Sequence, residues 1–135
     1  MFDVLIERGK IREFALATRS SHPDFTGPAA LAPPTFLNAA SRIWADEPLD
    51  IARDLGFDPA RTLHGEEEFV FHAAPPRAGD RLGVTVQVTG RAEKTRRNGD
   101  RMRLAVVVRE FRDAAGRLVA EQRSTLVETG PGERP

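Results

Sequence analysis

The chain has no cysteine and no tyrosine, and of its 20 basic residues only Lys10 and Lys94 are lysines. Without thiols there is no disulfide, no thiolate nucleophile and no cysteine-based zinc site. Without phenols, any general acid has to be His, Asp, Glu or water. No apolar run approaches the roughly 20 residues that a membrane helix needs. The opening "MFDVLIERGK" carries an early acid and no apolar h-region, so no secretion signal is expected and the expected location is cytoplasmic. An excess of charge of one sign is lacking too. The 20 basic and 20 acidic residues cancel, and no global field favours a nucleic acid or an anionic membrane. The arginine excess is read first as compositional bias.

What is present fits a soluble globular protein: 40% hydrophobic and 30% charged residues in a chain of 135. That length buries a real core in one domain but is short for an elaborate enzyme built from a single copy, which makes a site shared between subunits plausible. One domain is expected over 1–129, with "GPGERP" at 130–135 as a flexible tail.

The first half has helical spacing. Ile11, Phe14 and Ala15 fall at i, i+3 and i+4 within Glu7 to Thr18, one short amphipathic helix. "SSHPDFTGPAALAPP" breaks it, because its prolines and glycine cannot continue a helix. "TFLNAASRIWA" resumes the spacing with Phe36, Leu37, Ala40, Ile43 and Trp44, with Thr35 at or near the N-cap and a narrow middle at Ala39, Ala40 and Ser41. Asp50 to Leu55 could form another turn before Gly56.

The second half changes period. Leu82, Val84, Val86 and Val88 alternate with polar or small residues, Met102, Leu104, Val106 and Val108 repeat the pattern, and "RLVAEQRSTLVE" gives a weaker strand. "RNGD" and "DAAG" separate them as hairpin turns. With "EEFVFHA" at least four mostly antiparallel strands are expected, and helices followed by strands make an α+β domain in which a sheet curls around the small-residue helix.

The stretches "GKIREFALAT", "APPTFLNAASRIW", "HGEEEFVFHAAPPRAGDRL" and "LVAEQRSTLVET" together resemble the MaoC-like (R)-specific hydratase and dehydratase family of the hot-dog superfamily. Within it the chain is most similar to the N-terminal, non-catalytic-half dehydratase-like type. The resemblance covers nearly the whole chain and is most specific from His64 to Leu82. It implies a single hot-dog fold, an antiparallel β-sheet wrapped around a central α-helix, paired with a second hot-dog unit. It also implies work on 3-hydroxyacyl or 2-enoyl thioesters of coenzyme A or acyl carrier protein, in fatty acid metabolism, without a cofactor.

Catalytic members carry the pattern Asp, any residue, Asn-Pro, any residue, His after the first helix, and the Asp and His act on water and the substrate's Cα proton. Pro23 matches the pattern's proline, which places Ser20 at the Asp, His22 at the Asn and Phe25 at the His. A serine hydroxyl and a phenyl ring cannot exchange protons near neutral pH. In catalytic relatives a backbone N–H at the start of the central helix polarises the thioester carbonyl. The matching residue here is Pro34, which has no N–H, although Thr35 one residue on retains one.

Other candidates have ordinary alternatives beside them. His22 and Asp24 could form a displaced base and orienter, or His-Pro-Asp could be turn chemistry with Asp24 capping amides. His64 and His72 are too few and too distant for a metal, and none is expected; His72 could sit beside substrate at a strand end. Phe36, Leu37, Ile43 and Trp44 could line an acyl tunnel but suit a core, with Phe36 the candidate for acyl contact alongside Thr35. "RAGDRL" reads as a tight turn. Arg91, Lys94, Arg96, Arg97, Arg101 and Arg103 surround a hairpin tip with Glu93 and Asp100, either a solvated turn or a dock for coenzyme A phosphates or an acidic carrier protein.

The leading expectation is a subunit of a (3R)-hydroxyacyl-thioester dehydratase or enoyl hydratase that supplies acyl binding, as a homodimer or as a heterodimer with a catalytic MaoC-like chain bringing the Asp/His pair. The alternatives are a self-sufficient hydratase or thioesterase using His22 and Asp24, and a non-catalytic acyl-thioester binding module. Neither nucleic acid nor membrane is an expected partner.

Overall fold

In the computed structural model, residues 1–45 and 50–130 are described. Five strands form one antiparallel sheet: β1 (Phe2–Leu5), β2 (Thr62–Phe71), β3 (Arg81–Thr95), β4 (Arg101–Arg112) and β5 (Leu118–Thr129), in the order β1-β3-β4-β5-β2. The helices are α1 (Arg8–Ala17), α2 (Phe36–Arg42) and α3 (Ile51–Asp54). This is the expected α+β class. The short β1 pairs antiparallel with the start of β3, Val4 opposite Leu82. At four residues it leaves too little alternation to be read from sequence. The order leaves β2, ten residues long, and β1 as the edge strands.

Contacts divide the chain into two compact units. One gathers β1, α1 and α2 with residues 69–85 and 109–122. Its core contains Val4, Ile6, Ile11, Ala15, Phe36, Leu37, Leu82, Val84, Phe111 and Ala120, all buried. Ile11 and Ala15 are the buried face of α1, as the i, i+4 spacing predicts. Phe36 is fully buried, with Phe14 edge-on at 5.7 Å and Trp44 at 5.3 Å between ring centroids. Burial of such a ring contributes about 1.5–3 kcal/mol. The narrow middle of α2 is buried at Ala39, Ala40 and Ser41, but Ile43 is 70% exposed, against its expected place in the core. The helix ends at Arg42, and the chain departs from the apolar stripe there.

The other unit gathers residues 50–68, 86–108 and 123–130. Leu55, Phe57, Ala105, Val107 and Leu126 form its apolar cluster, with Ile51, Ala52 and Val86 against it. Glu128, 5% exposed, pins this unit. Its carboxylate accepts from Arg103 Nε at 2.5 Å and from the Asp58 amide at 2.6 Å, while Arg103 also donates to the Gly56 carbonyl and lies over the Phe57 ring. These bonds hold the Glu128 carboxyl down at about 2.

Strand period was legible, but strand face was not always. In β3, Leu82 and Val84 are buried as expected while Val88 is 42% exposed. In β4 the deeply buried parity is Ala105, Val107, Arg109 and Phe111, opposite to the expected face of Met102, Leu104, Val106 and Val108, of which Val108 alone is buried. Both faces of that strand are apolar enough for pattern alone to favour the wrong one. β5 looked weak because its buried face carries Gln122, Ser124 and Glu128 among Ala120 and Leu126. Of the expected tail, Gly130 donates its N–H to the Arg101 carbonyl at 2.7 Å, and 131–135 lie outside the described residues.

Candidate functional site

The loop after α1 is built from local bonds. Thr18 returns its hydroxyl to the Phe14 carbonyl at 2.9 Å, Arg19 takes a left-handed φ of 55°, and the Ser20 amide donates to the Ala15 carbonyl at 2.8 Å. A non-glycine residue with positive φ is uncommon, and here it turns the chain sharply out of the helix. Pro23–Phe25 then form a 3-10 turn, closed by the Thr26 hydroxyl on the Pro23 carbonyl at 2.7 Å.

The turn uses His22 and Asp24. The Asp24 amide donates to His22 Nδ1 at 3.3 Å, and the Asp24 carboxylate lies 3.7 Å from the same nitrogen, beyond hydrogen-bond length. Both side chains are more than half exposed, at 60% and 58%. Beside α1 there is a cavity of about 440 Å³, and the loop residues lining it are Ser20, Phe25, Thr26 and Gly27. Thus the two positions that the family pattern assigns to Asp and His share one cavity, lined here by a hydroxyl and a phenyl ring. Arg8, Gly9, Arg12, Ala15 and Leu16 of α1 line it too, and among the described residues no carboxylate or imidazole does.

Thr35 and Phe36 start α2. The Thr35 N–H meets no acceptor among the described residues and Thr35 is exposed. Phe36 lies wholly inside the aromatic cluster with Phe14 and Trp44 and lines none of the cavities described here. Beneath α2, the buried Gln122 amide donates to Asn38 Oδ1 at 2.9 Å.

His72, just past β2, is 2.6 Å from the Glu121 carboxylate of β5, and its backbone N–H bonds the Val119 carbonyl. Nothing in the local sequence marks Glu121 as a partner of His72. It lies 49 residues from His72, and only the β5–β2 register brings them together. His64 faces Glu67 at 3.7 Å, and among the described residues no group of three His, Asp or Glu side chains could hold a metal.

The "RAGDRL" turn has Gly79 at φ 96° and the Asp80 carboxylate on the Arg77 amide at 2.8 Å. At the hairpin tip, Arg101 forks onto Glu93 at 2.9 and 2.6 Å, which holds Glu93 below the usual carboxylate range. Among the described residues no helix is long and apolar enough to cross a membrane.

Residues 1–122 match the family model described as "FAS1-like, dehydratase domain region". A "UPF0336 protein" of Saccharopolyspora erythraea is 35% identical, over 96% of this chain and 85% of that protein. Among solved structures, the C-terminally truncated HadBC (3R-hydroxyacyl-ACP dehydratase) complex from Mycobacterium tuberculosis superposes with a TM-score of 0.70 at 26% identity, over 93% of this chain and 89% of that one. A "MaoC-like dehydratase" superposes with a TM-score of 0.73, also at 26% identity, over 94% of this chain and 39% of that one. With the sheet order, the α1 loop and the model match over nearly its whole length, the chain belongs to the FAS1-like dehydratase-region family and has the MaoC-like hot-dog fold.

Proposed function

We propose that this chain is the non-catalytic, N-terminal-type half of a (3R)-hydroxyacyl-thioester dehydratase or enoyl hydratase, supplying acyl binding beside a partner hot-dog chain that brings the Asp/His pair. One observation carries the reading. Ser20 and Phe25 line the cavity after α1, and neither can take up or release a proton near neutral pH. Syn elimination of water needs a base for the Cα proton and an acid for the leaving hydroxyl. His22 and Asp24, the titratable side chains of the loop, stand outside that cavity, and the His22 Nδ1 is engaged by an amide. The Thr35 N–H remains available to polarise a thioester carbonyl.

The edge of the sheet supports a partner different from itself. β2 carries Glu66, Glu67 and Glu68 in succession. Glu67 accepts from the Ser124 hydroxyl and Glu68 lies 3.8 Å from Arg123, so Glu66 is the acid to consider: two copies paired there would oppose like charges, whereas a basic edge would complement it. The HadBC and ChsH1–ChsH2 structures are likewise two-component complexes.

The test is turnover of crotonyl thioester, on coenzyme A and on acyl carrier protein, by the purified chain alone and after mixing with a catalytic MaoC-like chain of the same organism. The expected result is near-zero activity alone and turnover restored by the partner, with the preferred carrier read from the same assay. Full activity of the lone chain, abolished by His22→Ala, would instead establish a self-sufficient hydratase. Thioester affinity without turnover with any partner would establish a binding module.

A further inference from the structure

The cavity beside α1 has properties that the missing acid and base do not explain. Arg8 and Arg12 lie one helical turn apart on α1 and both line it. Side chains at i and i+4 share a helix face, so their guanidinium groups can converge on one ligand. Neither makes an ion pair or a side-chain hydrogen bond among the described residues, although arginine–carboxylate pairs recur elsewhere among them. Among the described residues no carboxylate lines the cavity to neutralise them. This contrasts with the cavity of about 260 Å³ next to Glu128, whose Arg61, Arg101 and Arg103 already hold Asp58, Glu93 and Glu128.

The remaining walls are mixed. Leu16 and Phe25 give an apolar side, while Ser20 and Thr26 are the hydroxyl-bearing residues of the lining. At about 440 Å³ the space is of the size that small ligands occupy. A site lined by two uncompensated arginines and an apolar wall suits a molecule with an anionic head and a short apolar tail. A carboxylate head matches the guanidinium fork, and the tail would lie against Leu16 and Phe25.

We propose that the cavity formed by Arg8, Arg12, Leu16, Ser20, Phe25 and Thr26 is a binding site for a short-chain carboxylate, held by the two arginines through its head and by the apolar wall through its tail. The head of the ligand is a carboxylate, because the cationic pair rewards a full negative charge at that point, which a neutral thioester carbonyl does not carry. This goes beyond the dehydratase reading and does not depend on it. Binding at α1 requires no partner chain and no turnover.

The probe is hexanoate, titrated calorimetrically into the full chain, with hexanamide and inorganic phosphate as comparisons. Saturable hexanoate binding is expected, at least tenfold tighter than hexanamide and tighter than phosphate, and weakened severalfold as salt is raised from 50 to 300 mM. Arg8→Gln/Arg12→Gln should weaken hexanoate at least tenfold while leaving the thermal midpoint near that of the parent, since both side chains are exposed. Leu16→Asn should weaken hexanoate but not phosphate. Equal binding of acid and amide, retention of hexanoate affinity by the double variant, phosphate matching hexanoate, or no saturable binding would each overturn the proposal. None of these outcomes alters whether a partner chain restores crotonyl-thioester turnover, so the two readings fail separately.

Discussion

At the scale of single residues, the loop from Ser20 to Phe25 separates what looks chemical from what is placed to act. His22 and Asp24 have the right functional groups, but the Asp24 amide engages His22 Nδ1, and both side chains are more than half exposed. The expected outcome for His22→Ala is a stability change within about 0.5 kcal/mol, typical of an exposed surface position, and less than a twofold change in turnover of the reconstituted complex. Urea denaturation and a crotonyl-thioester assay check the two parts, and a tenfold loss of turnover would assign His22 to the chemistry. That the helix stops before this loop is legible, because the prolines and glycine of Ser20 to Pro34 cannot continue it. The exposure of His22 and Asp24 and the cavity lining were not legible, since they depend on the left-handed turn at Arg19. Nor was the His72–Glu121 contact, because strand register is not written in either local sequence.

At the scale of elements, period was easier to read than face. Helix α1 has one clear apolar stripe and folds as its spacing predicts. β4 has Leu, Val and Met on one side and Ala, Val and Phe on the other, so only its neighbours decide which side is buried. In β5 the inward polar residues are explained by partners far along the chain, and Glu128 is the clearest case. Glu128→Gln should cost about 2 kcal/mol, because it removes the charge from hydrogen bonds to Arg103 and the Asp58 amide. The same bonds set an acid dependence. A carboxyl held at about 2 in the folded chain and near 4.5 in the unfolded one stabilises the fold fully above the unfolded value, and that contribution fades as pH falls toward 2. Asp58, Glu93 and Asp113, each lowered by an arginine partner, add to the same slope. The urea midpoint should therefore hold steady from pH 7 to about 5 and drop below about 4.5. Glu128→Gln should start lower and fall less steeply, and an unchanged slope would count against this role for Glu128.

At the scale of the whole molecule, the neutral chain divides its charge unevenly. The β3–β4 hairpin is rich in arginine while the β2 edge is rich in glutamate, so net charge says little about which surface a partner meets. The position of that acidic edge depends on Gly65. A Cβ there would come within 2.8 Å of Val127 Cγ2 and 3.5 Å of the Thr125 carbonyl. At 2.8 Å either the Val127 methyl or the strand itself has to shift, while the Thr125 carbonyl stays at ordinary contact distance. One added methyl, in Gly65→Ala, should therefore tilt or lift the edge by a few tenths of an ångström. The expected readout is weaker association with the catalytic chain, seen by analytical ultracentrifugation, with hexanoate binding at α1 unchanged. Unaltered association would show that the β2 edge is not where the chains meet. Weakened association would mean that the feature setting the gap between two strands also sets the tolerance with which two different subunits fit, making this glycine a spacer for the assembly as much as for the sheet.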